Sequence, residues 1–245
     1  MSMQLIYFRS RNINISYLTR AFKNGPEKEL VEEYVAIIER KIKLNKRYGF
    51  GIFIEPKLDV GFPDVVIVKY SRRIMSKWVP KRMQLDLAAL KVLSHLFYAG
   101  SLSSDRITSD LGFDALALTP RLKQLQDAKL IYKKGQVYTA YPFKNSFAVR
   151  EVVAVEAKIS NILGAIGQAS NNKWFATSSF ILTPSIKPTH RVTSQCEKLG
   201  LGIIGLKQHS LIEVLPPRPH DLPKSYISLL LNEWIGRKII EGLGV

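Results

Sequence analysis

The chain has 245 residues, 46% of them hydrophobic, enough to bury one sizeable core or two smaller ones. Its 36 Lys and Arg against 20 Asp and Glu give a formal charge of +16, which points to a polyanionic partner, because each phosphate neutralised by a cationic side chain releases counterions. No apolar run approaches the roughly twenty residues that span a bilayer and no N-terminal stretch has the make-up of a signal peptide, so the expectation is a cytoplasmic protein with no membrane partner. A single cysteine, Cys196, excludes an internal disulfide and a Cys-based zinc site, and His95, His190, His209 and His220 have no ligand spacing.

Residues 3 to 8 form a short apolar segment suited to an edge strand. After Asn24-Gly25-Pro26 the periodicity predicts a helix from Glu27 to Lys46, with Leu30, Val31, Tyr34, Val35, Ile38 and Ile42 on one stripe. At about 100° per residue Glu27 falls near the middle of that stripe, whereas Glu29, Glu32 and Glu33 lie off it. An acid in a first helical turn is favoured by the helix dipole, so the inward phase of Glu27 admits a structural and a functional reading. A hairpin of Gly51 to Pro56 and Asp64 to Tyr70 follows, its second strand opened by Gly61-Phe62-Pro63. Ser71 to Arg82 then carries five cations, Arg72, Arg73, Lys77, Lys81 and Arg82, with Trp78 and no acid. Such a run is a solvated linker or a contact to a nucleic-acid backbone.

Residues 83 to 140 read as a unit of their own. A helix carrying Leu85, Leu90, Leu93 and Leu96 is followed by a short one between Ser103 and Gly112, and by a third begun at Thr119-Pro120 that buries Leu118, Leu122 and Leu125. Leu130 to Thr139 alternates as a hairpin does around Lys134-Gly135. Three short helices and a hairpin resemble a winged helix-turn-helix, a module in which the third helix enters the DNA major groove and the wing touches phosphates. Helical phase turns Lys123 and Gln124 outward with Arg121 at the flank, and the wing offers Lys133 and Lys134. Asp127 also points outward and would repel a phosphate. Winged helices dock proteins as well, so both partners stay open. Tyr141 to Ser146 is the expected return linker.

Next comes the apolar run Val152 to Ile159, in which Glu156 and Lys158 stand two apart and so face the same way on a strand. The plain reading is an ion pair at a solvated strand end. A helix from Asn161 to Asn172 with small Gly164, Gly167 and Ala169, a strand Ser178–Thr183, a helix Thr189–Leu199 and strands Gly202–Leu206 and Leu211–Leu215 complete an α/β pattern. The last helix, Leu222 to Leu243, carries Ile227, Leu231, Trp234 and Ile235 and is suited to pack on the core or to form a homodimer seam.

Pro63-Asp64, Glu156-Ala157-Lys158 and Gln168-Ala169 in the trailing helix, in that order and on those elements, resemble the PD-(D/E)XK (restriction-endonuclease-like) nuclease superfamily. The resemblance implies an α/β core, a mixed central sheet flanked by helices, built from residues 1–82 and 141–245. The two halves of the motif are separated by residues 65–155, more than the family usually leaves, and an inserted winged helix at 83–140 accounts for the interval. The implied activity is metal-dependent hydrolysis of DNA, duplex DNA being the expected partner. Asp64, Glu156 and the carbonyl of Ala157 would hold Mg²⁺ or Mn²⁺, with Glu27 at a second metal or a metal-bound water. Lys158 would lie against the attacking water or the scissile phosphate. Gln168 matches the polar residue that the family brings near the site, or is an exposed helix glutamine. The alternative is a non-catalytic DNA-binding or assembly protein with a nuclease-like core; a third is an unrelated enzyme with a fortuitous Glu-Ala-Lys.

Overall fold

The structure, a computed structural model, describes residues 5–8, 24–59 and 61–242; residues 3 and 4 of the expected first strand and Leu243 of the expected last helix lie outside that range. In chain order the elements are β1 (Ile6–Phe8), α1 (Pro26–Lys41), β2 (Tyr48–Ile54), β3 (Val65–Ser71), α2 (Arg72–Met75), α3 (Leu87–Ala99), β4 (Leu102–Ser103) and α4 (Ser104–Leu111). There follow α5 (Ala115–Asp127), β5 (Ile131–Lys134), β6 (Val137–Ala140), α6 (Phe143–Ser146), β7 (Val149–Ala157), α7 (Ile162–Asn172), β8 (Ser178–Thr183), α8 (His190–Leu199), β9 (Gly202–Lys207), β10 (Ser210–Leu215) and α9 (Tyr226–Gly242). The chain divides into two units, Met1–Lys69 with Arg150–Pro223, and Tyr70–Val149 with Lys224–Val245.

The first unit is α/β, built on a mixed seven-stranded sheet in the order β1-β2-β3-β7-β8-β9-β10. β1 runs parallel to β2, β7 to β8 and β8 to β9, while β10 returns antiparallel on β9. Alternation along the strands decides what covers each face. Val155, Ala157 and Leu182 pack with Leu30, Val31, Tyr34 and Val35 of α1. Ile181 and Ile203, one residue out of phase, pack with Ala165 and Ala169 of α7 and with Val192 and Cys196 of α8. Helices therefore flank both faces. α1 ends at Lys41 and not at Lys46, because Ile42 turns extended and the Asn45 side chain accepts from the N–H groups of Arg47 and Tyr48, an Asx turn that starts the run into β2.

The second unit wraps α3, α4 and α5 around Leu90, Leu93, Leu96, Ile107, Leu118, Leu122 and Leu125, beside a three-stranded sheet ordered β4-β6-β5. Asp86, Ser103 and Asp114 cap the three helices through their side chains, and Gly112 closes α4 in the left-handed conformation. α5 begins at Ala115, a turn before the expected Thr119-Pro120. The Asp114 cap outweighs the proline, whose missing N–H would have met the carbonyl of Leu116 at a turn where Leu116 is 89% exposed and water can take its place.

This unit is wider than the expected 83–140. The stretch read as an outgoing linker is α2 followed by a 3-10 turn, Pro80–Gln84, with Arg72, Ile74, Met75, Trp78 and Arg82 buried, and the return linker contains α6. The C-terminal helix, expected in the α/β core, belongs here too. Leu229 joins the core, Asn232 accepts from the N–H groups of Ala148 and Val149, and Gly236 lies so close to the Trp78 ring that a Cβ would strike it. A polar pair between apolar residues, Asn232-Glu233, is tolerated in the middle of α9 because donors await both side chains. Among the described residues no helix is long and apolar enough to cross a membrane.

Candidate active site

The site is built at the C-terminal end of β7. In a parallel ladder successive N–H groups point to opposite neighbours. Lys158 donates its N–H to the Leu182 carbonyl at 2.8 Å, so the N–H of Ala157 faces the other way, where β3 has not yet begun; the Asp64 carboxylate takes that place and accepts it at 2.7 Å. Asp64 is thereby fixed at the strand mouth. Its own carbonyl accepts the N–H of Glu55 at 3.0 Å.

Glu156, only 3% exposed, turns toward α7, where the buried Asn172 amide donates to its Oε1 at 2.7 Å. Lys158 leaves the strand at its end and donates through Nζ to both oxygens of Glu27, at 2.9 and 3.0 Å. These side chains line one pocket of about 420 Å³, shared by Glu27, Glu55, Asp64, Glu156, Lys158 and Gln168.

Glu27, Asp64, Glu156, Lys158 and Gln168, singled out from the sequence, therefore meet in one pocket. Glu27 lines the pocket, as its helical phase suggested; Glu29 and Glu32 are exposed, but Glu33, expected off the stripe with them, is half-buried against His209. Ala157 is wholly buried and meets the site through the N–H that it gives to Asp64. One lining acid escaped the sequence reading: Glu55, 2% exposed, with a left-handed φ of +50° that a non-glycine residue rarely adopts. Its signal was the acid closing an apolar strand just before a proline, Ile54-Glu55-Pro56.

The expected nucleic-acid contacts divide. Arg73, Lys77, Lys81, Lys123, Lys133 and Lys134 are exposed. Arg82 is buried, with its guanidinium held by Glu233 and by the Ser146 carbonyl, and Arg72 is buried as well, so neither presents a charge to a ligand as a linker arginine would. Arg121 is half-buried and donates to Asp86 at 3.1 Å and to the Ala117 carbonyl at 3.0 Å. Gln124 turns inward, its side-chain oxygen buried. Arg82 and Arg121 are drawn in by acids, Glu233 and Asp86, that local sequence spacing does not report.

No histidine or cysteine lines the pocket, and burial pushes the Cys196 thiol up to about 11, which keeps it protonated and unreactive at neutral pH. Among the described residues no three His, Cys, Asp or Glu side chains are grouped as a metal cage. The oxygen donors suit a hard divalent cation that takes one or two carboxylates and keeps several waters, as Mg²⁺ does, and do not suit zinc. Comparison of the chain and its structure with known proteins found no matching family model, no matching curated protein and no matching solved structure.

Proposed function

We propose that the chain is a metal-dependent DNA endonuclease of the PD-(D/E)XK type, with the chemistry in the first unit and a winged helix-turn-helix in the second. The observation that carries this reading is an acidic pocket in a chain of charge +16, into which Asp64 comes from just before β3, Glu156 and Lys158 from the end of β7, and Gln168 from α7. The order helix, short strand, two helices and hairpin from α3 to β6 supports the second half of the proposal, as do Lys123 on α5 and Lys133 and Lys134 in the hairpin, all exposed.

Asp64 and Glu156 are the residues that would hold Mg²⁺ or Mn²⁺, which when bound supplies polarisation of a phosphoryl oxygen and a water of lowered pKa. The N–H of Ala157 and the amide of Asn172 fix the two carboxylates before any ligand arrives, so little reorganisation remains for the reaction. Lys158 has three N–H donors, of which two reach Glu27, and it can turn the third to a phosphate oxygen as negative charge develops there. Glu27 keeps that ammonium at the pocket wall. Gln168, exposed on α7, can donate its amide to the same phosphate.

The test is nicking of supercoiled plasmid and cutting of branched DNA with Mg²⁺ or Mn²⁺, against EDTA. Asp64→Ala and Glu156→Ala should abolish cleavage while DNA affinity without metal is kept or rises; variants as active as the parent would overturn the assignment. The bond between Lys158 and Glu27 favours a second reading, a DNA-binding protein with an inert core. Absence of cleavage by the parent at every metal, with DNA binding intact, would establish that reading.

A further inference from the structure

We propose that a groove on the second unit holds one unpaired nucleotide, with its base against Tyr141 and its phosphate between Lys77 and Lys129. The groove encloses about 460 Å³ and has an apolar floor that includes Ile74 and Leu130. That volume lies within the range of pockets that take small organic ligands, about 300–1,000 Å³. Its lining contains no carboxylate. Arg82 at its edge has its charge matched by Glu233, but Lys77 and Lys129 are exposed and make no ion pair among the described residues. Lys129 leaves the end of α5 with a left-handed φ of +55°, which sets it off the helix axis at the rim. Two uncompensated ammonium groups over an apolar floor fit a ligand that is anionic at one end and flat and apolar at the other.

Tyr141, in the groove lining, is 41% exposed, and the exposed Tyr132 ring props it from beside, centroids 5.1 Å apart and tilted by 49°, so the stacking surface offered to the groove is the Tyr141 ring. Bases stack on such rings whatever their identity. Asn145, also in the lining, carries both a donor and an acceptor for a base edge. A base inside a duplex has both faces covered by its neighbours, so the Tyr141 ring serves a nucleotide out of the stack. The inference rests on the reading of the chain as a nucleic-acid enzyme and adds to it a substrate feature, an unpaired nucleotide.

Binding of the full chain to a short fluorescent oligothymidylate and to a blunt duplex, followed by anisotropy in EDTA, tests the groove without cleavage. Tyr141→Ala should weaken single-strand binding by on the order of tenfold and Tyr141→Phe should restore it, with duplex affinity changed by less than about twofold. Lys77→Ala with Lys129→Ala should flatten the slope of log affinity against log salt for the single strand by about 1.4. Unchanged single-strand affinity in these variants, or an equal loss for single strand and duplex, would overturn the proposal. So would tighter, Tyr141-dependent binding of an acidic tyrosine-containing peptide, which would make the groove a protein-docking site. Because no metal is present, failure of plasmid cleavage and failure of this binding are separate results.

Discussion

Two buried glutamates, one in each unit, show how differently the same side chain can be used. Glu233 is 5% exposed and accepts from Trp78 Nε1 and Arg82 Nε, each at 2.8 Å, from a second guanidinium nitrogen of Arg82, and from the neighbouring Asn232 amide at 2.9 Å. Arg82 also stacks on Phe147, 5.0 Å from its ring centre. Charge meets charge, and the group is closed. Glu156 is as deeply buried, yet the bond that it accepts from Asn172 comes from a neutral amide, and it stands at the wall of a pocket with Glu27, Glu55 and Asp64. Burial alone does not separate a closed clamp from a side chain that lines a pocket; the position beside the pocket does.

The largest effect is expected where the charge is closed. Glu233→Ala leaves the Arg82 guanidinium buried without its counter-charge and should cost about 3–5 kcal/mol in urea unfolding, whereas replacing Arg82 and Glu233 together by methionines should recover much of that loss. At the other glutamate, stability and activity should part company. Glu156→Gln should change unfolding free energy by less than about 1 kcal/mol while removing cleavage, and Asn172→Ala, which only frees Glu156 to move, should lower metal affinity or rate by about 10–100-fold. A Glu156→Gln variant that unfolds as easily as Glu233→Ala would erase the comparison.

The pair of Lys158 and Glu27 is half-exposed, so its loss in Glu27→Gln should shift stability by no more than about 1 kcal/mol. The cleavage rate should nevertheless fall further than in Glu29→Gln, whose side chain lies outside the pocket. The smallest effect is alkaline. Burial raises the Cys196 thiol from 9.0 to about 11, so between those values the unfolded chain gives up a proton that the folded chain keeps, and stability falls as pH rises through that window. Cys196→Ala should flatten that part of the pH–stability curve, and the native thiol should react with Ellman's reagent only on unfolding.

The candidate site was legible in the sequence where one residue's geometry decides it. The 100° step of a helix set Glu27 on the pocket side of α1, whereas the two-residue repeat expected to put Glu156 and Lys158 on one face fails at the strand end, where Glu156 turns to Asn172 of α7 and Lys158 to Glu27 of α1. The strand limits Ser178–Thr183 came directly from an apolar run between turn residues. What stayed hidden depends on a distant partner. Arg82 reads as a solvated cation until Glu233, far along the chain, is seen to meet it. The apolar stripe of α9 says that the helix is buried but not by which unit. Glu55 escaped because its exposure and its left-handed backbone are set by the hairpin that joins it to Asp64, and neither leaves a periodic trace. Pro120 looked like a helix start because a proline at the first helical position and one inside a solvent-facing turn read alike.

Each unit is made of two separate stretches, and that interleaving sets a schedule for biosynthesis. A ribosome delivers about 5–20 residues per second, so Arg82 waits on the order of ten seconds for Glu233 to be translated. β3 likewise waits for the whole of Tyr70–Val149 to emerge before β7 can take its place in the sheet. Neither unit is complete until the other is nearly so, and a nascent chain stalled before α9 would expose a half-formed core and a buried cation in search of its acid, the kind of intermediate that chaperones retain.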